Sequence, residues 1–303
     1  MTAIKRVALI GASGKLGPSI LDAFLDNGNF DITVLSRENS AAAFPPTVKT
    51  VKIKFDYDSL KSAFSGQDAV ISVVGNAQAS DQKVYIDAAI AAGVKRFVPS
   101  DFGGWTPDAT ILDKNKLFKP KVEIAEYLKK MESESFSWSA IINGPVFDFS
   151  MKVGFLGFDL TRKTAQIWDD GDARFSSTTL STIGKAVVRI LEPANVERTK
   201  NQDIFILSFT TTQNQILTIL ENLTGEWSVE RVNSKPLITD LHKRLDTGDF
   251  GPQVVYGLIK GATFAGNVGN PGDYSRLSWN EILHLGSENL ETVLVNILKD
   301  VSS

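Results

Sequence analysis

The stretch "VALIGASGKLGPSILDAFLDNG", residues 7–28, constrains this chain more than any other. Val7–Ile10 reads as a short buried strand, and Pro18–Asp26 carries helical apolar spacing. Between them Gly11, Gly14 and Gly17 are spaced G-x-x-G-x-x-G. A strand that turns at once into a helix leaves the backbone N–H groups of the helix N-terminus facing outward, where phosphate oxygens bind. Gly11 permits the tight turn, Gly14 the close approach of a pyrophosphate, and Gly17 close packing of helix on strand. Ala12, Ser13, Lys15 and Leu16 complete the loop, and Ser13 adds a hydroxyl. Glycines in turns are common, but a position directly after a buried strand favours a dinucleotide site.

The first half repeats the same grammar. Strand patterns at Val7–Ile10, Asp31–Leu35, Val48–Phe55, Ala69–Val73, Arg96–Pro99 and Trp138–Ile142 alternate with helical patterns at Pro18–Asp26, Ser59–Phe64, Asp81–Ala92 and Pro120–Met131. Strand then helix, repeated, predicts an α/β fold: a doubly wound parallel sheet covered on both faces. "STIGKAVVRILEP" (Ser181–Pro193) reads as a further helix capped by its serine, and "DIFILSF" (Asp203–Phe209) as a strand. These patterns divide the chain into residues 1–150, rejoined by about 181–209, and a smaller substrate lobe of 151–180 and 210–303. Asp249–Tyr274 is rich in glycine and turn signals and reads as an irregular cover over the crevice at the strand ends.

Composition removes several function classes. The chain has 303 residues, 43% of them hydrophobic, which suits one large domain or two intimate lobes. A net charge of −3 is no electrostatic footprint for nucleic acid. There is no cysteine, and the two histidines, His242 and His284, are far apart, which argues against a thiolate or histidine metal site. No apolar run approaches a membrane span, and the first residues enter a strand pattern directly. The expectation is a soluble cytoplasmic protein, monomer or homodimer, acting on a small molecule.

The second strand ends "ITVLSREN". Where an NAD-binding site has an acidic residue for the ribose, this chain has Ser36 and Arg37. A guanidinium suits a 2′-phosphate, so NADPH is the expected cofactor; a surface ion pair of Arg37 with Glu38 is the competing reading. Asp56 in "FDYD" is placed for the adenine. Further strand ends facing the cofactor in this architecture bear Val74, Gly75, Asn76 and Gln78, then Ser100, then Asn143 and Pro145.

"LFKPKVEIAEYLKK" (117–130) poses the question of which lysine matters. With Pro120 at the start of the helix, Lys119 has Glu123 four residues on and Lys130 has Glu126 four residues back. Lys121 instead neighbours Leu117, Phe118, Ile124 and Ala125. An ammonium on an apolar stripe near a helix N-terminus is poised for acid–base work, unless the chain snorkels its head to water.

The stretches "LIGASGKLG", "LSREN", "DAVISVVGNAQASDQ", "AAGVKRFVPSDFG", "FKPKVEIAEYL", "DDGDARFSSTTLSTIGKAV" and "TTTQNQILTILENLTGE" together resemble the isoflavone reductase-like, NmrA-like group of atypical short-chain dehydrogenases. Phenylcoumaran benzylic ether, pinoresinol and isoflavone reductases belong to it. The resemblance spans most of residues 1–230 and implies a Rossmann-like NADPH domain, a smaller substrate lobe, and a catalytic lysine at Lys121. The ordinary Tyr-x-x-x-Lys pair occurs only as Tyr57 and Lys61, beside the expected adenine end; four residues after Tyr127 stands Met131. The implied reaction is NADPH-dependent reduction of a conjugated or aromatic small molecule, with Lys121 as acid or base and Ser100 orienting substrate or nicotinamide. A late histidine used by some members has no counterpart in "GLIKGATFAG". Two alternatives share the fold: an NADP(H)-sensing regulator, and an enzyme that catalyses a non-redox step. The expected pocket holds Lys121, opens beside Gly75 and Ser100, and takes Trp105, Phe147 and Phe264 as walls.

Overall fold

The computed structural model describes residues 3–106, 116–265 and 272–302. In its first half β1 (Arg6–Ile10), α1 (Gly17–Asn27), β2 (Asp31–Arg37), β3 (Lys49–Ile53), α2 (Tyr57–Phe64), β4 (Ala69–Ser72), α3 (Gln82–Ala91), β5 (Arg96–Val98), α4 (Lys119–Lys130) and β6 (Ser137–Ile142) follow the expected order. The second half runs α5 (Phe147–Lys152), β7 (Phe158–Asp159), β8 (Thr164–Trp168), β9 (Phe175–Ser177), α6 (Leu180–Arg189), β10 (Gln202–Phe205) and β11 (Phe209–Thr211). It ends with α7 (Gln213–Thr224), β12 (Ser228–Val232), α8 (Ser234–Asp246), α9 (Pro252–Phe264) and α10 (Leu290–Ser302).

Among the described residues seven strands form one sheet in the order β10-β6-β5-β4-β1-β2-β3, with every adjacent pair parallel. Strand alternation explains why both faces are covered. Val7 and Leu9 of β1 join one core with Ile20 and Phe24 of α1 and Ile183 and Val187 of α6. Ala8 and Ile10 point the other way, into a core with Leu60, Phe64, Ile86, Ile124 and Leu128 from α2, α3 and α4. Strand order reverses between β1 and β4, which places a ligand crevice at their carboxyl ends.

A third core, built on Phe147, Met151, Ile167, Trp168, Ile216, Leu220 and Phe264, underlies the second half of the chain. There β12 and β8 are parallel, β7 is antiparallel to β8, and β11 pairs with β9.

Three local expectations fail, each for a physical reason. The cap of α6 is Thr179, not Ser181: the Thr179 hydroxyl accepts from Thr182 N–H, so the helix starts at Leu180. Residues 203–209 do not form one strand. Gln202–Phe205 stays on β6, whereas Phe209 leaves to pair with Ser177 of β9. The Asp249–Tyr274 segment does line the cavity at the strand ends, but not as an irregular loop, because most of it is α9. Pro252 starts that helix, Val254 and Leu258 bury one face against Leu241 and Leu245 of α8, and the glycines are packing sites. A Cβ at Gly257 would meet Leu241 Cδ1 at 2.6 Å, and one at Gly261 would meet Ile238 Cδ1 at 2.9 Å. Residues 266–271 of that segment lie outside the described residues.

Helix α6 crosses α1 at Gly184, where an added Cβ would fall 2.4 Å from Ser19 O and 3.1 Å from Ala23 Cβ. Gly184→Ala should therefore cost about 1–3 kcal/mol through overpacking, without loss of secondary structure. Urea unfolding followed by circular dichroism measures it, and an unchanged midpoint would show that the two helices can separate freely.

Candidate active site

The loop after β1 closes tightly on the end of β4. Gly11 has φ 85°, and a side chain there would meet Val73 O at 2.3 Å. At Gly17 a Cβ would fall 2.3 Å from Gly11 O, so backbone fills both places. Gly14 differs. Its N–H donates to Gly11 O at 2.9 Å, and it is exposed together with Ser13 and Lys15. Ala12 is buried and Leu16 half-buried beneath them. The open face over Gly14, at the N-terminus of α1, fits a pyrophosphate. The Lys15 ammonium lies 4.5 Å from the centre of the Phe149 ring in α5.

At the end of β2, Ser36 is buried and Arg37 exposed. No carboxylate among the described residues lies within ion-pair distance of Arg37, so the pairing with Glu38 does not form. Its guanidinium is available to a phosphate. Asp56 caps α2 by accepting Ser59 N–H at 2.9 Å, and that bond holds its carboxyl below the usual range. Capping is thus its role within the chain.

The next three strand ends are tied to one another. Ser100 Oγ–H donates to Val74 O at 2.7 Å, and Ser100 N–H donates to Gln82 Oε1 at 2.7 Å. Ser100 therefore joins the turn after β5 to the one after β4. Gly75 precedes the short turn Asn76–Asp81 and accepts Gln78 N–H at 3.0 Å; the side chain of Asn76 lies outside the described residues. After β6, Asn143 is fully buried, with its N–H on Gly103 O at 3.1 Å and its Nδ2 donating to Gly144 O at 2.8 Å. Among the described residues its Oδ1 has no hydrogen-bond partner, an acceptor left over at the strand end. Pro145 O accepts from Ser177 Oγ–H and Thr178 N–H.

Lys121 sits in the first turn of α4, behind Pro120. Its surroundings correct the apolar-stripe expectation. The ammonium lies 3.2 Å from Asp101 Oδ1, with the two side chains only 16% and 12% exposed. Burial pushes the Asp101 carboxyl above its usual range, and the Lys121 charge opposes that rise. Gly103 makes room for the lysine, since a Cβ there would come within 3.2 Å of Lys121 Nζ. Lys119, by contrast, is 65% exposed and 3.9 Å from Glu123, an ordinary surface pair.

Lys121 lines a cavity of about 920 Å3 between the strand ends and the α8–α9 pair. Gly103, Gly144 and Pro145 form its floor at the sheet, while Val255, Ile259 and Thr263 of α9 form the opposite wall. The aromatic walls are Phe102, Phe118, Phe155, Phe175, Phe250 and Tyr274, not the expected three. Phe147 and Phe264 are core residues of the second half. The Trp105 indole N–H donates to Asp203 at 3.0 Å, and its ring packs on Phe205. Gly75 and Ser100 do not line the cavity; Ala79, later in the same turn as Gly75, does. Sequence patterning missed Asp101 as the lysine's partner and the aromatic walls. Only α9 carried a signal, since residues 255, 259 and 263 share a helical face.

The Tyr-x-x-x-Lys possibilities lie off this cavity. Tyr57 is exposed at the start of α2, and the Tyr127 hydroxyl donates to Asp87, which pushes the phenol up to about 12. Among the described residues no cluster of acidic or histidine side chains could hold a metal ion, and no helix is long and apolar enough to cross a membrane.

The comparisons with known proteins agree with this architecture. The oxidoreductase aprR of Aspergillus flavus is 35% identical over 302 residues, covering 97% of this chain and 99% of that protein. The phenylcoumaran benzylic ether reductase Betv6 of Betula pendula is 29% identical over 218 residues, 66% of this chain and 68% of its own. Among solved structures, the leucoanthocyanidin reductase–NADPH complex of Vitis vinifera superposes with a TM-score of 0.75 at 18% identity, covering 97% and 99% of the two chains. Its likeness shows the shared Rossmann-like fold. Residues 3–279 match the NmrA-like family, and this chain belongs to that family.

Proposed function

We propose that this protein is an NADPH-dependent reductase of a conjugated or aromatic small molecule, with Lys121 as its acid–base residue. The class is oxidoreductase: relatives matched over most of the chain are named oxidoreductases, aprR over nearly its whole length. The carrying observation is Lys121, paired with Asp101 and only 16% exposed, at the edge of a large, mostly apolar cavity that reaches the carboxyl ends of a doubly wound sheet; the other charged side chains described on that cavity, Lys116, Lys119 and Asp246, are solvent-exposed.

The residues fit the cofactor. Gly14 leaves an exposed face for the pyrophosphate, Arg37, with no ion-pair partner among the described residues, offers its guanidinium to the 2′-phosphate, and Val74 and Gly75 lie just beyond β4 and Asn143 and Pro145 just beyond β6, Pro145 lining the cavity. NADPH, when bound, supplies a hydride. The protein's own part is to orient and to manage the proton. Phe102, Phe118 and Phe175 offer flat apolar surface to a planar substrate and exclude water. Lys121 donates a proton or hydrogen bond to the substrate oxygen on which negative charge develops. Ser100 keeps the strand ends in register through Val74, at one remove from substrate. The apolar walls favour a substrate with more ring than polar surface, in keeping with the secondary-metabolite type of chemistry.

Two measurements test this reading. Arg37→Ala should remove most of a preference for NADPH over NADH, on the order of 1.5–3 kcal/mol, in calorimetric titration. Equal affinity of the unaltered protein for both cofactors would refute the assignment of Arg37. Against a panel of enones, quinone methides and aryl ethers, followed by NADPH absorbance and product mass, Lys121→Ala should lower turnover by roughly 10²–10⁴. Lys119→Ala should change it little, as expected of an exposed pair. Tight NADPH binding with no turnover across the panel would instead favour the sensing or non-redox alternative.

A further inference from the structure

The loop after β1 holds one charged side chain, Lys15, between Gly14 and Leu16. It is exposed, and among the described residues no carboxylate lies within ion-pair distance of it. Its ammonium instead stands 4.5 Å from the centre of the Phe149 ring, in the first turn of α5. That contact joins two places that the topology sets apart. In the sheet β5 and β4 lie between β6 and β1, so the loop after β1 and the turn after β6 start three strand spacings, about 14 Å, from each other. Leu16 beside Lys15 and Val146 at the start of α5 both pack on the core under α1 and α6, so the contact lies on that flank of the crevice at the strand ends. The Asp148 carboxylate, next to Phe149, is engaged elsewhere: it accepts Phe149 N–H at 2.9 Å and Leu180 N–H at 3.1 Å. The Lys15 charge is left for an anion, and the exposed Gly14 beside it is where the pyrophosphate fits.

We propose that Lys15 and Phe149 form a clasp on the cofactor: the Lys15 ammonium binds the pyrophosphate oxygens, and the Phe149 ring behind it keeps that ammonium beside Gly14. Lys15 is then a direct ligand and Phe149 a positioning residue. An ammonium carries three N–H donors, so a ring on one side leaves donors for phosphate oxygens on the other. A long side chain loses rotamer freedom when it binds, and one already seated on a ring has less to lose. The seat is fixed, because Phe147 and Met151 root α5 in the core of the second half. The pyrophosphate is common to NADPH and NADH, so the clasp lengthens the residence of both, whereas Arg37 acts on the 2′-phosphate alone. The inference rests on the cofactor of the proposed function and not on Lys121.

The test follows dissociation of NADPH and of NADH from the full-length protein by stopped-flow fluorescence, with no substrate present. Lys15→Gln should speed release of both cofactors on the order of tenfold, as for loss of a charge-assisted hydrogen bond. Phe149→Leu keeps apolar bulk but removes the ring face, and should speed both about two- to fivefold. Phe149→Tyr keeps the ring and should release both at the original rate. In the Lys15→Gln background Phe149→Leu should add nothing, since the two residues act as one unit. Unchanged release from Lys15→Gln overturns the proposal, and so does an effect on NADPH alone, which would put the ammonium on the 2′-phosphate. Slower release from Phe149→Leu also overturns it, because the ring would then compete with the cofactor for the ammonium. Equal acceleration in the Leu and Tyr variants would mean plain packing and overturn it as well. None of these outcomes touches the turnover of Lys121→Ala, and a protein that holds both cofactors through the clasp yet reduces nothing leaves the clasp standing, so the two readings fail separately.

Discussion

The candidate site depends first on how closely the loop after β1 lies against the end of β4. Gly11 sits where any side chain would collide with the Val73 carbonyl, and Gly17 where one would collide with Gly11 itself. That contact brings the N-terminus of α1 to the point where the strand order reverses. Once the loop is fixed there, the ends of β4, β5 and β6 form one continuous rim. Ser100 ties β5 to β4 through Val74, and Gly103 ties β5 to β6 through Asn143 and Gly144. Lys121 reaches that rim because Gly103 has no side chain to exclude it.

A charged group beside an apolar cavity needs a partner, and the partner explains the chemistry better than the apolar walls do. An isolated ammonium in such a place would be costly and would tend to lose its proton. Asp101 stands 3.2 Å from the Lys121 ammonium as that partner, and is itself a nearly buried carboxylate. The fold accepts this arrangement in the same way that it accepts Arg96. That side chain is fully buried in the sheet and satisfied by the hydroxyls of Ser137, Ser139 and Thr199 and the Val196 carbonyl. Burial nevertheless lowers the Arg96 guanidinium to about 10. Arg96 is a structural charge enclosed on every side, whereas Lys121 also faces a space large enough for a substrate.

The second half of the chain supplies shape rather than charge. Helices α8 and α9 pack through Leu241, Leu245, Val254 and Leu258, and Leu117 at the approach to α4 joins them. Because α9 is apolar on both its core side and its cavity side, the same helix packs against α8 and walls the pocket. Lys116 pairs with Asp246 at 2.8 Å at the rim, a further contact between the approach to α4 and the end of α8.

Much of this was legible in one dimension. The strand–loop–helix unit, the alternating strands and helices of the first half, Arg37 in place of an acid, and Lys121 as the odd lysine all follow from local rules, because period, turn chemistry and neighbour spacing act over a few residues. Local rules also misled. The glycines of α9 suggested a loop, yet they are contact points for α8, and Phe147 and Phe264 looked like pocket walls but fill a core. The Asp101–Lys121 pair spans twenty positions and Asp203 lies a further eighty-two along the chain, so no spacing along the chain could announce them. They meet because β10 returns beside β6 and α4 crosses behind β5 and β6, and the energy of a buried charge depends on neighbours in space rather than in order.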